Sequence, residues 1–272
     1  MNMVIFMEKL KVFIFIIIFC SILILIYNIN QKSDKDLKGI QTSSIGEGYQ
    51  VIEMQYNNDG VRVYYPYIAS GASEDKLTQW NNLIKDDLQA ILQIYSFQPF
   101  AELEDSPLEV QPARLLIAYE IKLLNNQFLS IFYKADYNSP HSAHPTQLVY
   151  TTNIDTQKDI RLTLKDLIKL DSNFASSIRQ WDFATGEPLN KQWNMIIKNI
   201  IKNMSDEDIL NGLKEADKIG TGNPWGMFTY ITPDTLGISI SVPNYVGDHV
   251  EFEKKLTELK DYLNPAYDWN IQ

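Results

Sequence analysis

From residue 49 onward the spacing of apolar positions switches between a period of two and a helical period, and the switches mark out the elements. Residues 49–56 (YQVIEMQY) and 61–68 (VRVYYPYI) are two β-rich runs separated by Asn57-Asn58-Asp59-Gly60, a hairpin whose turn the Asp-Gly pair supplies. Pro66 places the end of the second strand there or puts it at an edge. Ser73 then caps a helix whose first turn carries Glu74 and Asp75, both favourable at the positive end of the dipole. Leu77, Trp80, Ile84, Leu88, Ile91 and Tyr95 recur every three or four residues and form its apolar face. Beyond a Pro-bearing loop at 98–112, residues 114–124, 128–137 and 146–154 read as three more strands, antiparallel by their short hinges.

The second half is helical first. Residues 163–170, 174–181, 188–204 and 205–216 carry helical spacing, and Ser205-Asp206-Glu207-Asp208 fits a capping box. Two strands at 226–231 and 236–242 follow, joined by a Pro233-Asp234 turn. A closing helix over 251–263 is expected to bury Phe252, Leu256, Leu259 and Leu263. The fold class is therefore α+β: two small antiparallel-sheet-plus-helix units, at 49–137 and 138–265, with a tail at 266–272. The strands from 114 are an alternative start for the second unit. Trp80 and Trp193 fall in line with apolar helix positions and are expected in the core. Tyr64 and Tyr65 must face opposite sides of their strand, one of them exposed.

Ahead of these elements lies a different pattern. Residues 12–27 (VFIFIIIFCSILILIY) carry no charge, and only Ser21 is polar. At about 1.5 Å of rise per residue they are slightly short for a hydrocarbon core of roughly 30 Å. Met7, Leu10, Asn28 and Ile29 extend the run, and Lys9 and Lys11 can snorkel. No A-x-A-like cleavage site follows, and Phe19 is too bulky for lipoprotein processing at Cys20. The expectation is a single transmembrane anchor in the cell membrane, with residues 1–11 cytoplasmic by the positive-inside tendency. Residues 28–48 read as a polar linker to an extracytoplasmic body.

Charge and rare residues narrow the chemistry. With 24 Lys+Arg against 34 Asp+Glu the net charge is −10, which disfavours nucleic acid and favours a cationic partner. One cysteine excludes an internal disulfide, and three histidines leave few bases or metal ligands. His141 and His144 lie in SPHSAHPT, but zinc needs three or four ligands and His249 is far along the chain. No metal and no cofactor are expected. No nucleophile elbow, P-loop or H-E-x-x-H occurs, so the chain is not expected to be an enzyme. The alternative is an envelope hydrolase using His144 with Asp136 or Asp155.

Residues 128–168 (FLSIFYKADYNSPHSAHPTQLVYTTNIDTQKDIRLTLKDLI) combine an alternating strand, an Ala-His-Pro loop, and a strand running into N-x-D and L-x-D-L. Residues 227–263 (MFTYITPDTLGISISVPNYVGDHVEFEKKLTELKDYL) add a strand, a Thr-Pro-Asp turn, a strand, a Pro/Tyr-bearing loop and a closing segment. In this order they resemble the external domain of RsiV-type anti-sigma factors, also found ahead of the catalytic domain in PdaC-type peptidoglycan deacetylases. The region with VYYPYI is similar to the partner domain that usually precedes it, so the resemblance spans about 49–265. It implies an envelope-facing module recognising lysozyme or peptidoglycan. The eleven residues before the apolar run are too few to clamp a sigma factor, and no deacetylase domain follows. The expected function is a membrane-anchored, sensor-like binding protein of the bacterial cell envelope. By the family's two loops, His141, Ser142, His144, Pro145, Pro243 and Tyr245 are the candidate contacts.

Overall fold

The computed structural model describes residues 42–44, 48–58, 60–96, 114–138, 145–184, 191–220, 222–223 and 226–269. The expected anchor at 12–27, the cytoplasmic segment, most of the linker and the loop at 98–112 lie outside them. Among the described residues no helix is long and apolar enough to cross a membrane.

The fold is α+β, built on two sheets. The first carries seven strands in chain order: β1 (Thr42–Ser44), β2 (Gln50–Asn58), β3 (Val61–Ser70), β4 (Arg114–Leu124), β5 (Phe128–Asn138), β6 (Thr146–Asp155) and β7 (Ile160–Leu162). The second has the order β8-β11-β10-β9, from β8 (Asp182–Phe183), β9 (Phe228–Ile231), β10 (Thr235–Ser241) and β11 (His249–Lys255). Five helices complete it: α1 (Glu74–Ser96), α2 (Leu164–Leu167), α3 (Ser172–Ser177), α4 (Lys191–Asn203) and α5 (Asp206–Lys214). The boundary drawn at 137/138 falls before the last residue of β5, and β5 pairs with β6 from Phe128↔Asp155 to Tyr137↔Thr146, so the large sheet runs straight across it.

One pairing departs from the antiparallel expectation. β3 and β4 run parallel over Val61↔Leu115 to Val63↔Ile117, because α1 carries the chain back between them. The pairing stops there, and α1 takes over. Asn81 Oδ1 accepts from the Ile68 N–H at 2.9 Å while its Nδ2 donates to the Ile68 carbonyl at 3.0 Å, so one amide replaces a strand partner. Trp80, Ile84, Leu88 and Ile91 of α1 are buried in the core beneath the large sheet, as their spacing predicts. Of the tyrosines expected on opposite faces of β3, Tyr65 is buried and Tyr64 is half-buried, while Tyr67 is the exposed one.

One element differs from its predicted form and one residue from its predicted burial. Residues 249–255 are strand, followed by a 3-10 turn at Leu256–Glu258, where a closing helix was expected. Phe252, Leu256, Leu259 and Leu263 are all buried, so the inward positions stand and only their period differs. Val250 and Phe252 alternate with Glu251 and Glu253 in HVEFEKK, and that period of two decides the element. Trp193, expected in the core, is 41% exposed: the inward stripe of α4 runs through Ile197 and Ile201 instead.

The sheets meet at β9, whose two faces serve two cores. Phe228 and Tyr230 join the large-sheet core, while Met227 and Ile231 join the core covered by α2–α5. The Thr232 N–H donates to the Thr235 carbonyl, closing the β9–β10 hairpin, and ladder alternation turns the main-chain groups of 229 and 231 away from β10. Side chains receive them. The Thr229 N–H donates to Asp217 Oδ1 (2.6 Å), the Thr229 carbonyl accepts from Asn153 Nδ2 (2.7 Å), and the Ile231 N–H donates to Ser130 Oγ (2.9 Å). Ser130 Oγ donates in turn to Asn153 Oδ1 at 2.7 Å. Asp217 also accepts from the hydroxyls of Thr229 and Thr151 and from the Leu164 N–H at the start of α2. Burial pushes its carboxyl up to about 6 in spite of these donors.

Two outcomes follow from this junction. A Cβ on Gly237 would stand 2.1 Å from the Tyr230 ring, which lies across that glycine to donate to Glu253 Oε1. Gly237→Ala is therefore expected to cost roughly 1–3 kcal/mol in chemical denaturation. The native state holds the Asp217 proton more tightly than the unfolded chain, so its contribution to stability is full below pH 3.8 and lost as pH rises through about 6. Asp217→Asn removes that slope. The variant is expected to be less stable at pH 4 by about 1–3 kcal/mol for its mismatched donors, with the gap narrowing toward pH 7.

Candidate functional site

The described contact candidates lie on two connections, one at the start of β6 in the large sheet and one between β10 and β11 in the small sheet. His141, Ser142 and His144 lie outside the described residues; Pro145 stands immediately before β6. Pro243 and Tyr245 belong to the β10–β11 connection, a 3-10 turn at Asn244–Val246 closed by left-handed residues Gly247 (φ 117°) and Asp248 (φ 68°). The turn is held from within: the Val246 N–H donates to the Pro243 carbonyl, the Gly247 N–H to Asn244, and the Val242 N–H to the Asp248 carbonyl. Val246 is fully buried and anchors the turn in the core, which leaves Tyr245 projecting, 67% exposed.

The two predicted loops are tied together. The Gln147 N–H, two residues past Pro145, donates to Asp248 Oδ2 at 2.9 Å. Residues 145 and 243–248 therefore form one surface, although they lie a hundred positions apart. Asp248 carried no signal in the sequence, since an Asp in a Gly-Asp turn reads as turn chemistry alone.

Behind this surface His249 Nδ1 lies 2.6 Å from Glu251 Oε1, and Ser239 Oγ donates to the same oxygen at 3.1 Å. Burial favours the neutral carboxyl, but the His249 ring, the Ser239 hydroxyl and the Lys134 charge outweigh it and hold Glu251 below the usual range. The carboxylate stands between serine and imidazole, so the imidazole has no contact with the hydroxyl and this order makes no nucleophile–base pair. Among the described residues no group of three His, Cys, Asp or Glu is placed to hold a metal ion. The acids weighed as partners of His144 separate. Asp155 is at the far end of β6 from Pro145 and accepts from the Gln157 and Lys158 N–H groups, which fixes it in a turn. Asp136 is at the near end, paired in register with Gln147.

Two clefts flank the start of β6. One, of about 720 Å³, is largely apolar and lies between the end of α1 (Ala90, Ile94), Leu148 and Tyr150 of β6, and Ile219 and Phe228. The hydroxyl of Tyr150, which lines it, is 3.0 Å from that of Tyr95, and burial raises both above the ordinary tyrosine range. The other, of about 640 Å³, sets charged and amide side chains among apolar ones and borders Pro145. Sequence reading passed over both, because each is assembled from strands and loops distant in the chain.

Asp248→Ala removes an acceptor and places a Cβ-bearing residue with no side-chain compensation at positive φ. It is expected to cost about 1–2 kcal/mol and to speed hydrogen exchange at the Gln147 amide, whereas Asp248→Asn keeps both features and leaves that amide protected.

No protein-family model and no curated protein matches the chain. Among solved structures it is similar to a DUF3298 family protein from Bacteroides fragilis, at 12% identity and a TM-score of 0.47 over 79% of this chain and 94% of that one. A second, a DUF3298 family protein from Pseudomonas aeruginosa, aligns at 13% identity and a TM-score of 0.43 over 84% of this chain and 96% of that one. The structural likeness found is to DUF3298 family proteins.

Proposed function

We propose that the chain is a membrane-anchored, extracytoplasmic binding protein of the bacterial cell envelope, and that the surface formed by Pro145 and residues 243–248 recognises a cationic, lysozyme-like protein. The observation that carries the reading is Tyr245: an exposed aromatic on a turn fixed by internal hydrogen bonds and a buried anchor. A rigid exposed aromatic loses little entropy on binding and suits the centre of an interface. The net charge of −10 supports a cationic partner through steering of encounter. The apolar run at 12–27 supports the anchor, and the resemblance of 128–168 and 227–263 to RsiV-type external domains supports the partner class. In this reading the chain binds rather than catalyses, and it uses no cofactor.

The test is calorimetric titration of the detergent-solubilised full chain with animal-type lysozyme at low and physiological salt. Submicromolar binding that persists in salt is expected, with Tyr245→Ala weakening it by about 1–3 kcal/mol. Binding that vanishes in salt would be charge attraction alone and would overturn the lysozyme reading. An unchanged affinity in Tyr245→Ala would remove this turn from the interface.

A further inference from the structure

The cleft beside Pro145 carries charged side chains that the binding of a large cationic protein does not use. The strand registers place one row of residues across a single face of the large sheet. Asn57 is opposite Arg62, Arg62 opposite Leu116, Leu116 opposite Asp136, and Asp136 opposite Gln147. Directly opposed residues share a face, so these side chains stand side by side. One step toward the strand ends, Arg114 pairs with Asn138 on the same face. Asn57, Arg62, Arg114, Leu116, Asp136 and Asn138 line the cleft of about 640 Å³, a volume typical of small-molecule sites.

The charges in this row are separated and held apart. Arg62 Nε donates to Asn57 Oδ1 at 3.3 Å, which orients its guanidinium, and among the described residues neither Arg62 nor Arg114 is ion-paired. In a chain of net charge −10, two guanidinium groups without a described carboxylate partner, one strand apart, are an exception to the surface around them. Between them and Asp136 lies Leu116, 39% exposed on a sheet face where a polar residue is the ordinary choice. Neighbouring strands are about 4.8 Å apart, so Arg62 and Asp136, two strands apart, are separated by about 10 Å at the backbone.

We propose that this cleft binds a short zwitterionic peptide of two or three residues, with its carboxylate on Arg62 and Arg114, its ammonium on Asp136 and an apolar side chain over Leu116. Guanidinium groups recognise carboxylates through paired N–H donors, and the asparagines supply the donors and acceptors that a peptide amide needs. An extended residue advances about 3.3–3.6 Å, so two or three residues match the span between the charged groups. A simple anion would leave Asp136 facing it at a cost, and a simple cation would leave the two arginines so. The site does not depend on the membrane anchor or on lysozyme recognition.

The experiment is calorimetric titration of the full chain in detergent with tri-alanine, its C-terminal amide and its N-acetyl form, each uncharged at one end. Saturable binding of tri-alanine is expected, weakened about tenfold or more by either end modification and by Arg114→Ala or Arg62→Ala. Asp136→Asn is expected to bind the free and N-acetylated peptides alike, a readout that general damage to the fold would not give. Absence of saturable binding, or equal binding of all three peptides, would overturn the proposal. So would full affinity in the Arg62→Ala/Arg114→Ala double variant. Circular dichroism of each variant identifies any that has lost its fold, and for such a variant Arg→Lys replaces Arg→Ala.

Discussion

The architecture depends on how the free edge of β9 is satisfied. A strand with one side paired and the other turned into a protein interior would leave buried amide groups without partners, at about 1–3 kcal/mol each. Here Asp217, Asn153 and Ser130 take that role, and each comes from a different part of the chain. Because Asp217 also holds the Leu164 N–H, the same carboxylate sets where α2 begins, and with it the helical cover of the small sheet. The faces of β9 then sort the apolar residues: Phe132 meets Tyr230 edge-on at 5.3 Å, and Tyr150 meets Phe228 at 5.2 Å. Through β9 the two sheets are joined by apolar contacts on both of its faces and by polar contacts along its free edge.

A second use of the same device appears at α1. Asn81 stands in for a strand at Ile68, and Lys76 binds the carbonyls of Thr156 and Gln157 together with Asp159 Oδ1. Trp80 Nε1 donates to that same Asp159 oxygen at 2.7 Å. On the buried side, Asp87 receives Thr152 and Arg161, with the arginine also ion-paired to it at 2.8 Å. Polar side chains thus fix where α1 lies, while its apolar stripe supplies the burial. Position and stability come from different residues, which explains why a helix with an ordinary amphipathic pattern ends in one orientation over a twisted sheet.

What the sequence made legible follows from range. The β2–β3 and β9–β10 hairpins, α1, and the inward positions Trp80, Ile84, Phe252 and Leu256 depend on local spacing, and local spacing carried them. The element at 249–255 was misread because a 4-3-4 spacing beyond Phe252 mimics a helix when a strand passes into a turn. Trp193 was misplaced since α4 has apolar residues on more than one side, and only the packing of Ile197 and Ile201 decides which side is inside. The candidate contacts Pro145 and Tyr245 came from the resemblance of their two loops to a known family, and the Gln147–Asp248 bond that ties those loops together was invisible in the sequence. Asp217 was silent for the same reason: a single acid between Ala216 and Lys218 gives no hint that four donors converge on it.

The sheet margins carry a last consequence. The outermost strands are β1 and β7 with three residues each and β8 with two, while β9 is closed by side chains. None offers the long row of unpaired amides that an incoming strand needs as a template. Among the described residues the strands that close each sheet are thus poor templates for strand addition, and the free stretch is on β2 past Ile52, where β1 no longer pairs. Side chains from turns and clefts therefore carry most of the grip that these short margins can offer a partner, which concentrates the specificity of an encounter in a few residues.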